Sequence, residues 1–363
     1  MVYDKNIAFN DLPDLPPVNI NSAQVLRHTI IAARNLAELK GLCETLPDPA
    51  LLLNTIVLQE SRDSSAIENI VTTQDELYRA NADVKIDSTA AKEVLRYREA
   101  MYTGLRHMKE KINIISTNTL VSVVQIIKDN KSGIRTQPGT NLKSSITGEV
   151  IYTPPCCENE IRQKLAALEL FINETKEDHP DPLVKLALIH YQFEAIHPFV
   201  DGNGRVGRIL NNLFLVQQDL LPHPVLYLSH YIAEHKQDYY QLLRRVTEQQ
   251  EWTDWILFIL TAIGRTAQLT TQKIRALLEL RINTETRMKR VLQTSYSPDL
   301  LQLLFTQPYI KIETLVKKEL AHRQTASVWL KKMVAEGILE PQKKGRLIYY
   351  VHKSLMDILS SGN

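Results

Sequence analysis

Apolar residues recur three and four positions apart through most of the 363-residue chain, which predicts a largely helical fold. Several of these patterns begin at a residue that is suited to capping a helix. Asn21 or Ser22 caps a helix that runs through about Cys43, and Thr73 with Glu76 forms a capping box for another. The remaining predicted helices before residue 290 include those over residues 49–60, 88–112, 116–130, 160–174 and 252–272.

Two segments depart from helical spacing. Between Gly133 and Pro155 polar and apolar residues alternate around a turn at Thr147-Gly148, which predicts a short β-hairpin. From about Ser297 the pattern predicts three helices followed by a hairpin with a basic turn, an order that resembles a winged helix. We therefore expect an all-α protein that carries one β-hairpin and a C-terminal winged-helix module.

The stretch over residues 181–219 contains two helices joined by a sharp loop. Asp181 caps the first helix, and a proline ends that helix beside His197. Gly202 and Gly204 then allow a tight turn, because neither residue carries a Cβ. Apolar spacing resumes directly afterwards, so the second helix is expected to begin near Gly204.

Side chains suited to phosphate chemistry lie at this joint. A helix that starts after glycines presents unpaired backbone N–H groups and the positive end of its dipole to an anion. Arg205 and Arg208 extend the positive field, and Asp201 is an oxygen ligand of the kind that Mg²⁺ takes together with phosphates. His197 is placed to accept a proton from a hydroxyl group. The loop is therefore predicted to bind a metal-bound polyphosphate beside a base.

Residues 197–208 match the motif H-x-F-x-D/E-G-N-G-R-x-x-R at its eight fixed positions, and the chain thereby resembles the Fic family. The matching residues are His197, Phe199, Asp201, Gly202, Asn203, Gly204, Arg205 and Arg208. The resemblance implies a Fic-type helical core with a β-hairpin flap. It also implies transfer of AMP from ATP to a Ser, Thr or Tyr hydroxyl of a protein. Members that phosphorylate instead carry Lys where this chain has Gly204.

The resemblance assigns a role to each of these residues. His197 would be the catalytic base, Asp201 would hold Mg²⁺, and Arg208 would reach the γ-phosphate. The ATP-binding residues would be Gly202, Asn203, Gly204, Arg205, Val206, Gly207, Arg208, Tyr239 and Tyr240, with the two tyrosines at the adenine pocket. Tyrosines at helical spacing are also typical packing residues. The hairpin between residues 133 and 155 would be a flap that pairs with the backbone of the target.

A second motif lies upstream, at Ser64, Glu68 and Asn69, and it resembles the inhibitory motif S/T-x-x-x-E-G/N of the same family. By that resemblance Glu68 pairs with Arg208 and takes the place of the γ-phosphate. A hundredfold suppression of activity requires about 2.7 kcal/mol, whereas an exposed ion pair supplies about 0–1 kcal/mol. The pair of Glu68 with Arg208 is therefore expected to be at least partly buried.

Composition bears mainly on location. The net charge is +2 at pH 7, and of the three cysteines Cys43 stands alone while Cys156 and Cys157 are adjacent. Neither a disulfide framework nor a zinc site is indicated. The sequence shows no secretory leader at Met1 and no apolar run long enough to span a bilayer. We expect a cytoplasmic protein without a membrane partner.

The patterns divide the chain into three predicted regions. Residues 1–110 form an N-terminal helical region with the inhibitory motif, residues 111–290 form the Fic catalytic core, and residues 291–363 form the winged-helix module. From Lys311 to Lys353 there are ten Lys or Arg and four Asp or Glu, a difference of +6, which is a candidate DNA-binding charge. A role in dimerisation or in docking a target is the alternative for this module.

Three functions remain open at this stage. The first is an autoinhibited AMP transferase, whose partners would be a target protein with a hydroxyl side chain, the chain itself through self-modification, and a second copy in a homodimer. The second is a nucleotide-sensing regulator that binds DNA through Lys343, Lys344 and Arg346. The third is an enzyme that removes AMP from a protein, with Glu68 orienting a water molecule.

A weaker metal hypothesis rests on two pairs with Glu-x-x-His spacing, which di-iron helical bundles use. The pairs are Glu194 with His197 and Glu319 with His322. Two further helices with carboxylates would be needed to complete such a site.

Overall fold

The computed structural model describes residues 3–15, 17, 20, 22–46, 49–82, 88–143, 147–176, 179–344 and 347–360. Helices dominate these ranges, as the sequence pattern predicts. The helices before residue 293 are α1 (Ala23–Glu44), α2 (Pro49–Ile67), α3 (Gln74–Ala82), α4 (Thr89–Glu110), α5 (Thr117–Lys128), α6 (Glu158–Asn173), α7 (Pro182–Ile196), α8 (Asn203–Gln217), α9 (Leu228–Glu234), α10 (Lys236–Gln249) and α11 (Trp252–Leu292).

The central helix of the fold is α7, which is enclosed by α1, α6, α8 and α11. Its residues are apolar around most of the circumference and nearly all of them are buried, which is the pattern of a helix inside a core. The Asp181 side chain caps it by accepting from the Leu183 N–H at 2.8 Å. Because α8 packs on α7, the loop between them lies where the two helices meet, and its position is set by the core.

Two predicted helices are longer in the structure than their sequence pattern indicated. Helix α2 continues seven residues past Glu60 to Ile67, because polar side chains there, among them Asp63 and Ser64, are buried and hydrogen-bonded to other parts of the fold. Helix α11 continues past Gln272 to Leu292. Its last part is buried against the C-terminal module, where Thr284 shares a hydrogen bond of 3.2 Å with His352. In both cases tertiary contacts extend the helix beyond its local apolar stripe.

The predicted hairpin is present as a short two-stranded sheet. Strand β1 (Leu142–Lys143) pairs antiparallel with β2 (Val150–Tyr152), and Leu142 lies opposite Tyr152. Gly148 has φ +72 in the turn, a left-handed value that glycine adopts without strain. The Tyr152 hydroxyl donates to the Ala195 carbonyl at 2.7 Å. The hairpin is thereby attached to the last turn of α7, next to the loop.

The C-terminal module has the element order of a winged helix. It contains α12 (Pro298–Thr306), β3 (Tyr309–Ile310), α13 (Ile312–Lys317), α14 (Arg323–Ala335), β4 (Glu340–Lys344), β5 (Leu347–Val351) and α15 (Lys353–Ser360). The strands form an antiparallel sheet in the order β3-β5-β4. Lys343 is exposed on β4, whereas the side chain of Lys344 and all of Arg346 lie outside the described residues.

The module packs on α2, α3 and α11. The Gln59 and Gln74 side chains both donate to the Leu359 carbonyl, the second of them at 3.0 Å. The Tyr309 hydroxyl donates to Asp75 at the start of α3. The last helix of the chain is therefore hydrogen-bonded to α2, the helix that carries Ser64.

The di-iron hypothesis does not fit this arrangement. Glu319 and His322 lie in the turn between α13 and α14, so their spacing does not place them on one helical face. Within the described part of the chain no three His, Cys, Asp or Glu residues form a cluster that could hold a metal ion. Within the same ranges no helix has the length and apolar character needed to cross a membrane.

Close packing between α4 and α8 depends on Gly104. A Cβ at this position would lie 3.0 Å from Leu213 Cδ1 and 3.2 Å from Val123 Cγ2. We predict that Gly104→Val lowers the free energy of unfolding by about 1–3 kcal/mol through overpacking. Gly41→Val on α1, where no atom lies within 4 Å of the added Cβ, is the matched control and should change it by less than about 0.5 kcal/mol. Urea denaturation measures both, and equal effects would contradict the packing argument.

Candidate active site

The loop between α7 and α8 has a constrained backbone. His197, the last residue of the α7 turn, has φ +48, a left-handed value that is costly for a residue with a Cβ. Gly202 follows at φ +90 and precedes α8. The Asn203 side chain closes the loop, because its Oδ1 accepts from the Phe199 N–H and its Nδ2 donates to the Phe199 carbonyl, each at 2.8 Å. Asn203 thus shapes the loop with its side chain, and its N–H is the group left for a ligand.

The start of α8 has the backbone geometry expected of an anion site. Val206 N donates to the Gly202 carbonyl at 3.0 Å, so the N–H groups of residues 203–205 precede the first bond of the helix. A Cβ on Gly204 would collide with Glu68 Oε1 and lie 3.0 Å from Arg208 Nη1. The Glu68 carboxylate and the Arg208 guanidinium therefore both lie directly against this glycine. No side chain larger than hydrogen fits here without displacing one of them.

Arg208 is held by the end of α2. Its Nε donates to Ser64 Oγ at 2.7 Å, and its Nη2 donates to the Ser64 carbonyl at 3.0 Å and to Glu68 Oε1 at 2.7 Å. The Arg208 side chain is 1% exposed and that of Glu68 is 34% exposed. Three acceptors on one short segment thus satisfy a buried guanidinium, and the ion pair is largely shielded from solvent.

Each member of this ion pair keeps the other in its charged form, although burial disfavours both charges. Burial alone would lower the pKa of Arg208, but the nearby Glu68 carboxylate raises it above its ordinary value. Burial would likewise raise the pKa of Glu68, but Arg208 lowers it below its ordinary value of 4.5, with Arg205 and Lys236 adding to the effect. Both groups are therefore ionised at neutral pH.

Helix α2 is fixed by a buried polar network on its other turns. Glu60 accepts from the Ser229 N–H at 3.0 Å and from the Tyr97 hydroxyl at 3.2 Å, and Asp63 accepts from the Tyr227 hydroxyl. Burial raises the pKa of Glu60 to about 7. At the other end Lys236 donates to the carbonyl of Ile67, the last residue of α2, at 2.5 Å. These contacts set where Ser64 and Glu68 lie.

His197 is held at the loop entrance by Arg135. Arg135 is buried, and its Nε donates to the His197 carbonyl at 2.8 Å. Its Nη2 donates to the Pro155 carbonyl at 2.5 Å, so the guanidinium joins the loop to the segment that follows the hairpin. Burial lowers the pKa of His197 to about 4, and the positive charge of Arg135 adds to the effect. The imidazole is therefore neutral at neutral pH and can accept a proton.

Asp201 is the exposed acid of the site. Its side chain is 62% exposed and pairs with Lys128 Nζ at 2.5 Å, and it lies 4.0 Å from Arg205. Burial would raise the pKa of Asp201, but the hydrogen bond from Lys128 and the charges of Lys128 and Arg205 lower it below its ordinary value. Arg205 itself is buried and donates to Glu93 of α4 at 3.0 Å. A single ionised carboxylate next to an anion site fits Mg²⁺, which is usually bound by one or two carboxylates together with substrate phosphates.

Of the remaining predicted ATP-binding residues, some are buried in the core and one is exposed. Val206 and Tyr239 are core residues, and the Tyr239 hydroxyl shares a hydrogen bond of 2.9 Å with His190 Nε2. Gly207 faces Glu194, whose Oε1 would lie 2.5 Å from a Cβ there. Tyr240 is 46% exposed, and its pKa is raised to about 12 by burial and then by the charge of Glu68. Of the two tyrosines, Tyr240 is the one with surface exposed to solvent, whereas Tyr239 is buried.

Several residues of the site carry no signal in the sequence motifs. They are Glu93, Lys128, Arg135 and Lys236, which contact Arg205, Asp201, His197 and the end of α2 respectively. Each lies far along the chain from its partner, and Arg135 is 62 positions from His197. Only the three-dimensional fold reveals them, because no local spacing relates the two members of each pair.

A glycine-lined helix start beside a neutral histidine, with a buried arginine behind it, is an arrangement suited to binding phosphate, and it is the arrangement that the Fic motif predicts. Three family profiles match the chain. They are "Fic/DOC family N-terminal" over residues 26–106, "Fic/DOC family" over residues 114–215 and "Protein adenylyltransferase SoFic-like, C-terminal domain" over residues 280–355. Together they cover more than two thirds of the chain. The chain belongs to the Fic/DOC family.

Curated relatives match shorter segments. A segment of 71 residues is 35% identical to protein adenylyltransferase fic-1 of Caenorhabditis briggsae and covers 20% of this chain and 14% of that protein. A segment of 55 residues is 47% identical to a probable protein adenylyltransferase of Aquifex aeolicus and covers 15% of this chain and 17% of that protein. The chain thus spans less than a fifth of the length of either relative.

Solved structures show the same fold over longer ranges. A Fic family protein from Desulfovibrio desulfuricans G20 superposes with a TM-score of 0.59 at 18% identity, covering 93% of this chain and 98% of that one. Fic-1 of Caenorhabditis elegans superposes with a TM-score of 0.51 at 19% identity, covering 69% of this chain and 74% of that one. The helical core with a small hairpin is therefore a Fic fold.

The ion pair at Arg208 predicts a pH-dependent contribution to stability. We expect Glu68→Gln to lower the free energy of unfolding at pH 7 by about 1–2 kcal/mol. Hydrogen bonds to charged groups contribute about 1.5–3 kcal/mol, and the value is reduced here because Glu68 is 34% exposed. The folded pKa of Glu68 lies below 4.5, so its contribution is complete above pH 4.5 and is lost as the pH falls through the folded value.

Urea denaturation at pH 7 and at about pH 3 checks this, since the difference between the two proteins should shrink on acidification. Glu158→Gln removes a surface pair with Arg162 and is the matched control, with an effect of about 0–1 kcal/mol. A difference for Glu68→Gln that grows in acid would refute the ion-pair account.

Proposed function

We propose that this chain is a protein adenylyltransferase that moves AMP from ATP to a hydroxyl side chain of a protein, and that Glu68 restrains it. The observation that carries the proposal is the contact of Glu68 with Arg208, made directly against the start of α8 and beside a neutral His197. The names of the relatives from Caenorhabditis briggsae and Aquifex aeolicus, both adenylyltransferases, support the same reaction.

The residues of the site divide the reaction between them. The N–H groups of residues 203–205 bind the phosphates of ATP, and Arg208 binds the γ-phosphate once Glu68 has left it. His197 takes the proton from the target hydroxyl as its oxygen attacks the α-phosphorus. The bond from that phosphorus to the bridging oxygen breaks, and pyrophosphate leaves. AMP is thereby joined to the protein through a phosphodiester.

Asp201 is the residue that would hold Mg²⁺ together with the phosphates. The metal would offset negative charge on the triphosphate. Lys128 and Arg205 keep the Asp201 carboxylate ionised, as a metal ligand must be. The exposure of the Asp201 side chain leaves it open to a metal ion that arrives with the nucleotide.

The hairpin is the proposed docking element for the target. Its two strands are short, and Ile151 on β2 is 38% exposed. A sheet with unpaired edges can add an extended segment of another protein as a further strand. The Tyr152 contact with Ala195 holds the hairpin near His197, so an added strand would present its side chains close to the base.

Removing the carboxylate tests restraint and reaction together. We predict that Glu68→Gly raises transfer of α-labelled AMP to protein several-fold or more, because Arg208 becomes free to bind the γ-phosphate. Adding His197→Ala to that variant should abolish the label on protein. Glu174→Gly is the matched control, since Glu174 also follows the end of a helix but lies outside the site, and it should leave transfer unchanged. Unchanged turnover in a well-folded Glu68→Gly protein would exclude the brake.

Removal of AMP from a modified protein is the second candidate function. It is favoured by the position of the ionised Glu68 carboxylate against Gly204, where a carboxylate can orient a water molecule. The same variant separates the two reactions, because hydrolysis would be lost with Glu68 whereas transfer would rise. The exposed basic residues of the C-terminal module, Lys343 among them, keep DNA binding as a further hypothesis for that module.

The low pKa of His197 predicts how the rate of AMP transfer changes as the pH falls. A base with a pKa of about 4 remains unprotonated down to about pH 5, so kcat/KM of the Glu68→Gly variant should be nearly constant between pH 8 and about pH 5.5. An imidazole with the ordinary pKa of about 6.5 would lose about tenfold in rate at pH 5.5. Steady-state assays with constant ionic strength measure this, and a tenfold loss would contradict the effect of burial.

A further inference from the structure

Two adjacent thiols lie between the hairpin and α6. Cys156 is partly exposed and Cys157 is exposed, and their Sγ atoms are 3.2 Å apart. Cys157 has φ +68, a left-handed value that brings its side chain beside that of its neighbour. The remaining cysteine of the chain, Cys43, is buried in α1. The pair is therefore the accessible thiol group of the protein.

The two thiols differ in acidity. The Cys156 N–H donates to Asn10 Oδ1 at 2.9 Å, and Asn10 Nδ2 donates to Cys156 Sγ at 3.5 Å. The Asn10 hydrogen bond, followed by that from Cys157, lowers the pKa of Cys156, whereas the same contact with Cys156 raises the pKa of Cys157. Burial raises the pKa of Cys43 to about 11. Cys156 is thus the more reactive thiolate, with a protonated thiol in contact with it.

The pair is also one residue away from a contact to the catalytic loop. Arg135 Nη2 donates to the carbonyl of Pro155, which precedes Cys156, while Arg135 Nε donates to the carbonyl of His197. Arg135 is 3% exposed, so both bonds are shielded from water. A change in the backbone at Cys156 therefore reaches His197 through one buried side chain.

We propose that Cys156 and Cys157 form a thiol-oxidation site that reacts with hydroperoxides and closes to an intrachain disulfide, which alters the position of His197. In the first step the Cys156 thiolate attacks one oxygen of the peroxide, the O–O bond breaks, and the other oxygen leaves as hydroxide or alkoxide. In the second step Cys157 attacks the resulting sulfenic sulfur. A disulfide forms and water is released, so two thiols are oxidised as one peroxide is reduced.

The ring that results cannot keep the backbone seen here. Adjacent Cα atoms are about 3.8 Å apart across a trans peptide, whereas disulfide-bonded residues usually have Cα atoms about 4.4–6.8 Å apart. Because adjacent Cα atoms cannot separate to that range, the disulfide ring is strained. We expect the backbone dihedrals beside Cys156, next to the Pro155 carbonyl, to rotate as the ring closes. Disulfides formed against such constraints are easily reduced, which suits a reversible modification.

Mass spectrometry of the full-length protein tests the site without reference to its activity. After brief treatment with hydrogen peroxide and alkylation of free thiols, we expect the peptide with Cys156 and Cys157 to have lost two hydrogen atoms, and Cys43 to be alkylated. Cys157→Ser should instead stop at a sulfenic acid on Cys156. Equal oxidation of Cys43, a disulfide between two chains, or the same product in wild type and Cys157→Ser would overturn the proposal.

A second arm tests the link to His197, and it rests on the proposed function. In the Glu68→Gly background we expect peroxide to lower AMP transfer about fivefold, the equivalent of about 1 kcal/mol or one hydrogen bond. Reduction with dithiothreitol should restore the rate, and Cys157→Ser should lose the response while keeping the rate of the reduced protein. A disulfide in the mass spectrum with an unchanged rate would refute the link. If the Glu68→Gly protein transfers no AMP, the proposed function fails while the mass spectrum still decides the thiol site.

Discussion

The guanidinium of Arg208 is almost completely removed from water, and a buried cation without acceptors would cost several kcal/mol. In this structure Ser64 and Glu68, at the end of α2, supply the acceptors. The γ-phosphate of a nucleotide would offer oxygen atoms to the same group, at the same helix start. The two occupants exclude each other because both satisfy one buried charge. The proposed restraint by Glu68 and the proposed binding of a triphosphate therefore have the same physical origin.

The strength of the proposed restraint would depend on how firmly α2 is held. Glu60 and Asp63 hydrogen-bond to Ser229, Tyr97 and Tyr227, which lie on or beside other helices of the core. The carbonyl of Leu359 in the C-terminal module accepts from Gln59 of α2 and also from Gln74 of α3. Helix α2 thus joins α15 to the acceptors of Arg208. Removal of Glu68 from the site requires either a local change after Ile67 or a shift of this whole helix.

The loop between α7 and α8 also depends on buried hydrogen bonds, which hold its backbone in place. His197 has a left-handed conformation that persists only when its surroundings enforce it. Arg135 binds the carbonyl of His197, and Asn203 binds the backbone of Phe199 from both sides. These bonds to the backbone hold the loop in the conformation that places His197 before the start of α8. The hairpin is also fixed next to this loop, because the Tyr152 hydroxyl donates to the carbonyl of Ala195.

The sequence by itself determined the parts of the protein that depend on neighbours in the chain. Side-chain caps at Ser22 and Asp181, the turn at Gly148, and the glycines between α7 and α8 act within a few residues, so local patterns predicted them. The twelve residues of the loop also predicted the family. Tertiary structure alone decided the length of α2 and α11, the core position of Tyr239, and the partners Arg135, Lys128 and Lys236. Those features depend on buried polar and charged groups whose partners are distant in the chain, and burial becomes defined only when the helices pack.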